Sequence, residues 1–227
     1  MSLSKSNKVI ISIEGNIGVG KSTFINILKN LWPDCETVSE PVEIWKNLTD
    51  EDGKNILQIF YEDITRWAYS FQNVACITRM MKMEEAIKNS DKKYIFLDRS
   101  LGTDKHVFEK MLHDDGKINE IEHSMYNLWC DFYYKYVRSQ NEMVYIYLKS
   151  TPSVCVDRIK KRGRKEEESI TSEYLEGLNK YHDDWLLDSE TEKVIVLDCD
   201  EEFESDINKQ YLMIETLKNK LEKLLSN

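Results

Sequence analysis

Apolar residues along this chain gather into short runs separated by longer stretches of helical periodicity. Val9 to Glu14 (VIISIE) is a β-branched run that ends in glycines and leads into the helix-compatible TFINILKNL. Similar runs recur at Tyr94 to Leu97, Met143 to Leu148 and Val194 to Leu197, and a further possible strand precedes Glu40. Buried strands alternating with helices predict an α/β fold with a parallel sheet of about five strands flanked by helices. Two helical stretches, from about Asn55 to Ala86 and from Asn119 to Tyr136, carry aromatics at helical spacing, among them Phe60, Trp67, Phe71, Tyr126, Trp129 and Tyr133. Side chains of that size more often supply core or subunit interface than ligand contacts. Asp206 to Leu225 has the pattern of a terminal amphipathic helix. No repeat or Pro/Gly-rich linker divides the chain, so residues 1–227 are read as a single domain.

Composition narrows the partners. Hydrophobic residues make up 41% and charged residues 32%, with no uninterrupted apolar stretch near the ~20 residues of a bilayer span. Residues 1–8 are polar and lack a targeting pattern, which makes a cytoplasmic protein the expectation. A formal charge of −10 repels nucleic acid and acidic membranes, so neither is an expected partner. A small anion remains possible where cations concentrate, and they do at Arg158, Lys160, Lys161, Arg162, Arg164 and Lys165. The five cysteines are widely spaced with no C-x-x-C pair, and read as reduced structural thiols.

The most specific chemistry lies just after the first strand. Gly15-Asn16-Ile17-Gly18-Val19-Gly20-Lys21-Ser22 matches G-x-x-x-x-G-K-[ST] between a predicted strand and a predicted helix. In such a loop, backbone N–H groups and the helix N-terminus face phosphate oxygens; Lys21 neutralises them and Ser22 can ligate Mg²⁺. Asp98 and Arg99 follow a later strand at its carboxyl end, where α/β sheets place ligands. Asp98 can hold Mg²⁺ through water, and Arg99 can bridge the transferred phosphoryl group to a nearby carboxylate. Arg158 and Arg162 share a helix face, and with Gly163 and Arg164 they suggest a lid over about residues 162–170 that grips phosphates through planar guanidinium groups. A solvated basic face is the plainer explanation without the loop.

The acceptor side is less legible from residues alone. Glu40 in Ser39-Glu40-Pro41-Val42 can act as a general base, yet an isolated Glu before Pro is usually just exposed. The blocks Gly15 to Thr23, Glu40-Pro41-Val42 with Trp45, Arg66-Trp67, Phe71-Gln72, Asp98-Arg99-Ser100 and Arg162-Gly163-Arg164 with Glu166-Glu167 together resemble the deoxyribonucleoside kinase family, from Val9 to about Phe203. The resemblance is nearest to its deoxycytidine and deoxyguanosine kinase members. It implies a P-loop kinase fold, ATP or another nucleoside triphosphate as donor, Mg²⁺, a deoxynucleoside acceptor and a homodimer packed through helices.

By that resemblance Glu40 takes the proton of the 5′-hydroxyl and Arg99 positions it. Tyr61 and Glu167 match the pair that holds the sugar 3′-hydroxyl. Gln72 matches the amide that reads the base edge, Trp45 and Phe71 match aromatic walls, and Phe108 belongs to the same pocket. Gly15, Asn16, Gly18, Gly20, Lys21, Ser22 and Thr23 take the donor phosphates, Arg158, Arg162 and Arg164 match lid arginines, and Glu202 and Phe203 resemble the loop against the donor's base. Arg79 lies two helical turns beyond Gln72 and matches, with Asp104, positions that favour deoxycytidine or deoxypurine nucleosides over thymidine. The chain has Asp98 where many relatives have Glu, and Gly102 where a bulkier residue is frequent, which suggests a larger pocket there.

Two other activities share parts of this pattern. A nucleoside monophosphate kinase of the thymidylate type needs cations around an acceptor phosphate, where this chain supplies Glu40 and Glu167. A non-catalytic nucleotide-binding module would be expected to show a guanine-reading N-K-x-D, and none occurs.

Overall fold

The computed structural model describes residues 8–163, 167, 170–187, 191 and 193–226. At its centre lies β1 (Val9–Glu14), buried at every position. β2 (Cys35–Val38), β3 (Tyr94–Asp98), β4 (Glu142–Lys149) and β5 (Val194–Asp198) complete a five-stranded sheet in the order β2-β3-β1-β4-β5. Every pairing is parallel, with Ile13 opposite Asp98 on one side and Ile146 on the other. The expected parallel α/β fold is what forms. The edge strand β5 buries Ile195 and Leu197 and exposes Val196, the alternation of a half-covered strand.

Side chains of successive strand residues point to opposite faces, and the core divides accordingly. Val9, Ile11 and Ile13 pack with α1 (Lys21–Leu31) and α10 (Ile207–Leu225), whereas Ile10 packs with α4 (Ile64–Asn89) and α7 (Glu120–Gln140). The stretch from Asn55 to Ala86 forms two helices. α2 (Val42–Asn47) precedes them, and α3 (Ile56–Glu62) is separated from α4 at Asp63, whose carboxylate accepts from the Arg66 amide and caps α4. A smaller apolar cluster joins Trp45, Ile56, Phe60, Phe71, Leu112 and Ile118.

After β3 the chain makes a short α5 (Leu101–Thr103), widens into a π-helical turn at Asp104–Glu109 and continues as α6 (Lys110–Asp114). Wider turns of this kind are frequent at functional sites. α8 (Pro152–Arg162) and α9 (Ser172–Leu186) follow β4. All five cysteines are free thiols and four are buried, in keeping with the structural reading. No described helix is long and apolar enough to cross a membrane. The chain leaves β1 to one side for β2 and β3 and to the other for β4 and β5. The crevice beyond the strand ends at this reversal is where such sheets hold ligands.

Candidate active site

The loop from Gly15 to Gly20 turns off β1 and enters α1 with glycines at positive φ. At Gly15 a Cβ would lie 2.5 Å from the Leu148 carbonyl oxygen, and at Gly20 one would lie 2.7 Å from the Phe203 ring, so side chains are excluded at both ends. Asn16 is buried and ties the loop to α9 by donating to the Leu175 carbonyl at 2.9 Å. Lys21 folds back on the loop and donates to the carbonyls of Gly15 (2.9 Å) and Asn16 (2.7 Å). Burial, reinforced by the charge of Arg99, lowers the Lys21 ammonium to about 7. Polyanion binding reverses that imbalance, because a phosphate supplies the countercharge that the loop carbonyls supply only as dipoles. Ser22, in the first turn of α1, is exposed toward the strand-end edge, and Thr23 is half-buried beside it.

Opposite the loop, the ends of β2 and β3 bring charges together. Glu40 meets Arg79 Nη2 at 3.1 Å and Arg99 Nη1 at 3.6 Å. Burial pushes the Glu40 carboxyl up, but Arg99 and Arg79 together outweigh it and hold the group below its ordinary value. Arg99 has left-handed backbone geometry (φ 65°) and donates from Nη2 to the Gly15 carbonyl at 3.3 Å, which aims its guanidinium across the crevice. The guanidinium also lies over the Phe108 ring, 5.1 Å from its centroid. Asp98 is buried with Oδ1 unpartnered, and burial followed by the neighbouring Glu40 charge raises its carboxyl.

Arg79 is the hub of this cluster. It donates from Nε (2.9 Å) and Nη2 (3.2 Å) to the two oxygens of Asp104, from Nη1 to the Asp98 carbonyl, and from Nη2 to Glu40. The sequence-predicted Arg79–Asp104 pair is therefore formed, and both side chains are buried. Two helical turns earlier on α4, Gln72 is 3% exposed and its Oε1 has no partner. Trp45 donates its indole N–H to Thr78 Oγ1 and meets Phe71 edge-on at 5.4 Å, while Phe60 stacks on the other side of Phe71. These rings form one wall. The Tyr61 phenol, 47% exposed, is raised by desolvation and then by the charges of Glu167 and Glu40.

Several expectations need adjustment. Gly102 opens no extra volume, because a Cβ there would lie 2.2 Å from Trp185 Cζ2 and 2.5 Å from the Tyr134 hydroxyl. The missing side chain is replaced by those two rings. Arg158 spends its donors on backbone carbonyls, at Val19 (3.0 Å), Asp200 (3.3 Å) and Glu201 (3.1 Å), so it braces the phosphate loop against the loop after β5. Phe203 is buried against Gly20, and Glu202 folds back to accept from Glu204 and Ser205. Arg162 pairs with Glu167 at 2.6 Å after the helix, and Gly163 ends α8 in left-handed geometry (φ 63°). Arg164, with most of the expected lid, lies outside the described residues.

The sequence reading also missed Glu14, Thr78 and Trp185, which support the site from behind. Only Glu14 left a signal, as a charged residue closing a largely apolar strand. A cleft of about 510 Å³ at the opposite, amino-terminal edge of the sheet is lined by Trp32, Lys92, Tyr94 and Lys218 among others, and includes none of these groups.

A phosphate loop at the sheet reversal, facing a carboxylate held by two arginines, defines an α/β phosphotransferase of the P-loop type whose acceptor is uncharged at the point of attack. Within that class the chain belongs to the deoxynucleoside kinase family, whose model matches residues 11–223. It is 38% identical to deoxycytidine kinase 2 of Gallus gallus over 92% of this chain and 89% of that one. Human deoxycytidine kinase is 39% identical over 78% of this chain and 75% of its own length. The mitochondrial deoxyguanosine kinase of Xenopus laevis is 32% identical over 86% and 83% respectively. The chain is thus a nucleoside-phosphorylating enzyme of salvage, using a nucleotide as phosphoryl donor.

Proposed function

We propose that this enzyme transfers the γ-phosphate of ATP, with Mg²⁺, to the 5′-hydroxyl of deoxycytidine, deoxyadenosine or deoxyguanosine in preference to thymidine. The observation that carries the base preference is the buried, bidentate Arg79–Asp104 pair. An ionised Asp104 offers only acceptor lone pairs, so it receives a hydrogen bond from an exocyclic amino group and opposes the O4 of thymine. Mismatching a buried polar group in this way costs roughly 1–3 kcal/mol, or about 5- to 150-fold in kcat/KM.

In this reading Glu40, ionised under the influence of Arg99 and Arg79, accepts the hydroxyl proton as the phosphoryl group arrives. Lys21, Arg99 and the loop amides hold the spreading negative charge. Ser22 and Asp98 are the residues for Mg²⁺. The buried, unpartnered Asp98 Oδ1 supports this assignment. A bound Mg²⁺ would supply positive charge against the donor phosphates. Trp45 and Phe71 flank the base, Tyr61 and Glu167 hold the 3′-hydroxyl, and Arg162 closes from α8.

A homodimer is proposed on the exposed apolar face of α7. Ile121, Met125, Leu128, Trp129, Phe132 and Tyr136 fall on one side of the helix and are 45% to 73% exposed, and Ile77 and Met81 extend the patch on α4.

The test is a steady-state comparison with labelled ATP across the four deoxynucleosides and their monophosphates. A higher kcat/KM for thymidine, or phosphorylation of a monophosphate in preference to the nucleosides, overturns the proposal. Arg79→Met combined with Asp104→Ala is expected to shift activity toward thymidine.

A further inference from the structure

Glu14 is a fully buried carboxylate, and among the described residues no cation forms a hydrogen bond or ion pair with it. Such a group is costly to keep, and an apolar side chain would fill the same space more favourably if packing were all that was required. Its partners are hydroxyls. Oε1 accepts from Ser12 and from Ser100 at 2.6 Å, and Oε2 accepts from Thr103.

Two of those hydroxyls close the turn that carries the reacting groups. Ser100 Oγ also accepts from the Gly102 amide at 3.0 Å, and Thr103 Oγ1 accepts from the Ser100 amide, so the pair forms the capping box of α5. Arg99 immediately precedes this box and Asp104 immediately follows it. The Arg99 amide is itself pinned to the Ile13 carbonyl at 3.1 Å, on a backbone whose positive φ is unfavourable for a non-glycine residue. On the far side, Trp185 and Tyr134 press on Gly102 with no space to spare. Immediately after Glu14, the Gly15 carbonyl accepts from both Lys21 and Arg99.

We infer that Glu14 is a positioning residue for phosphoryl transfer: its carboxylate locks the Ser100–Thr103 turn to the root of the phosphate loop, and thereby fixes Arg99 and Asp104 relative to Lys21. One buried group then sets the phosphoryl side and the base side of the site together. The charge is suited to this. A carboxylate accepts from all three hydroxyls at once, whereas an amide has one acceptor oxygen and would present an N–H₂ to a Ser or Thr oxygen that already accepts a backbone N–H.

The inference rests on the roles proposed for Arg99 and Asp104, so its test runs Glu14→Gln and Arg99→Lys side by side. Glu14→Gln preserves shape and removes a buried charge, which offsets part of the cost of its mispaired amide, so its melting temperature is expected to change little compared with its turnover. Turnover is expected to fall by about 100-fold with a higher KM for the nucleoside, as misplacement of about an ångström does. Thr103→Val is expected to act similarly, and combining the two should cost little more than the worse one alone, because both break one link.

Glu14→Gln turnover within twofold of wild type overturns the inference, as does a purely multiplicative double variant. If Arg99→Lys retains normal turnover, the reading of Arg99 itself fails. If Arg99→Lys is impaired and Glu14→Gln is not, only the positioning role is lost. Should Glu14→Gln fail to fold, Thr103→Val alone decides by the same split between kcat and melting temperature.

Discussion

Individual side chains in this protein owe their behaviour to whether burial or a partner dominates. Glu40 and Asp98 sit within one charge cluster, yet Glu40 has two arginines on its carboxylate while Asp98 keeps an unpartnered oxygen, so the first is held low and the second pushed up. Glu40→Gln keeps the shape and removes the base, and should leave nucleoside binding intact in calorimetry while turnover drops sharply. Lys21→Ala should lower kcat by ~10²–10³ or more, since a single positioned donor is commonly worth that much. His182 shows the opposite balance: it is fully buried, donates from Nδ1 to the Leu178 carbonyl at 2.7 Å and has no partner at Nε2. Burial lowers its imidazolium to about 3. The unfolded chain binds a proton there near 6.5 and the folded one does not, so this contribution is fully present above pH 6.5 and is lost as pH falls toward 3. Between pH 7 and pH 5 it amounts to about 2 kcal/mol. Urea titrations at the two pH values should show that loss in the wild type and a smaller one in His182→Gln; equal losses would clear His182 of the role.

At the scale of elements, close fits replace flexibility. The run from α5 through the π-helical turn to α6 places Asp104 inward at the point where the helix widens, and Gly102 lets Trp185 of α9 pack directly on the backbone there. Gly102→Ala forces a Cβ into the Trp185 ring, and overpacking of this kind typically costs about 1–3 kcal/mol. Denaturant unfolding should register that loss together with a rise in the nucleoside KM, since the displaced turn carries Asp104. Unchanged stability would mean that Trp185 swings aside freely. The same element logic explains why Arg158 differs from the arginine one helical turn on. It lies beside the phosphate loop and the loop after β5, whose carbonyls absorb its donors, whereas Arg162 reaches the helix end and Glu167.

For the whole molecule, the sheet buries a separate apolar cluster under each of its helical layers, but the α7 face from Ile121 to Tyr136 stays open in a single chain. The dimer proposed above would cover this face. Sedimentation should give roughly twice the 26.9 kDa chain mass for the wild type. Leu128→Glu with Phe132→Glu should return it to the monomer with its fold retained by circular dichroism. A wild-type monomer at micromolar concentration would refute the dimer.

Four of the five strands were legible to within a residue because buried parallel strands write themselves as apolar runs, whereas the half-buried CETV of β2 was legible only as a possible strand before Glu40; the phosphate loop was legible because its chemistry needs glycines and a lysine at fixed local spacing. Arg79 and Asp104 were matched as a pair by resemblance, but that Arg79 also holds Glu40 follows only from how β2 and β3 converge. Other features belong to no local pattern. Glu14 reads in sequence as a charge closing a strand, and its three hydroxyl partners lie two residues back and well over eighty residues away. Gly102 reads as spare room, and the space is filled by rings from α7 and α9. Local spacing encodes what a segment does with its own backbone; which distant side chains desolvate and pair with it is decided only when the layers close.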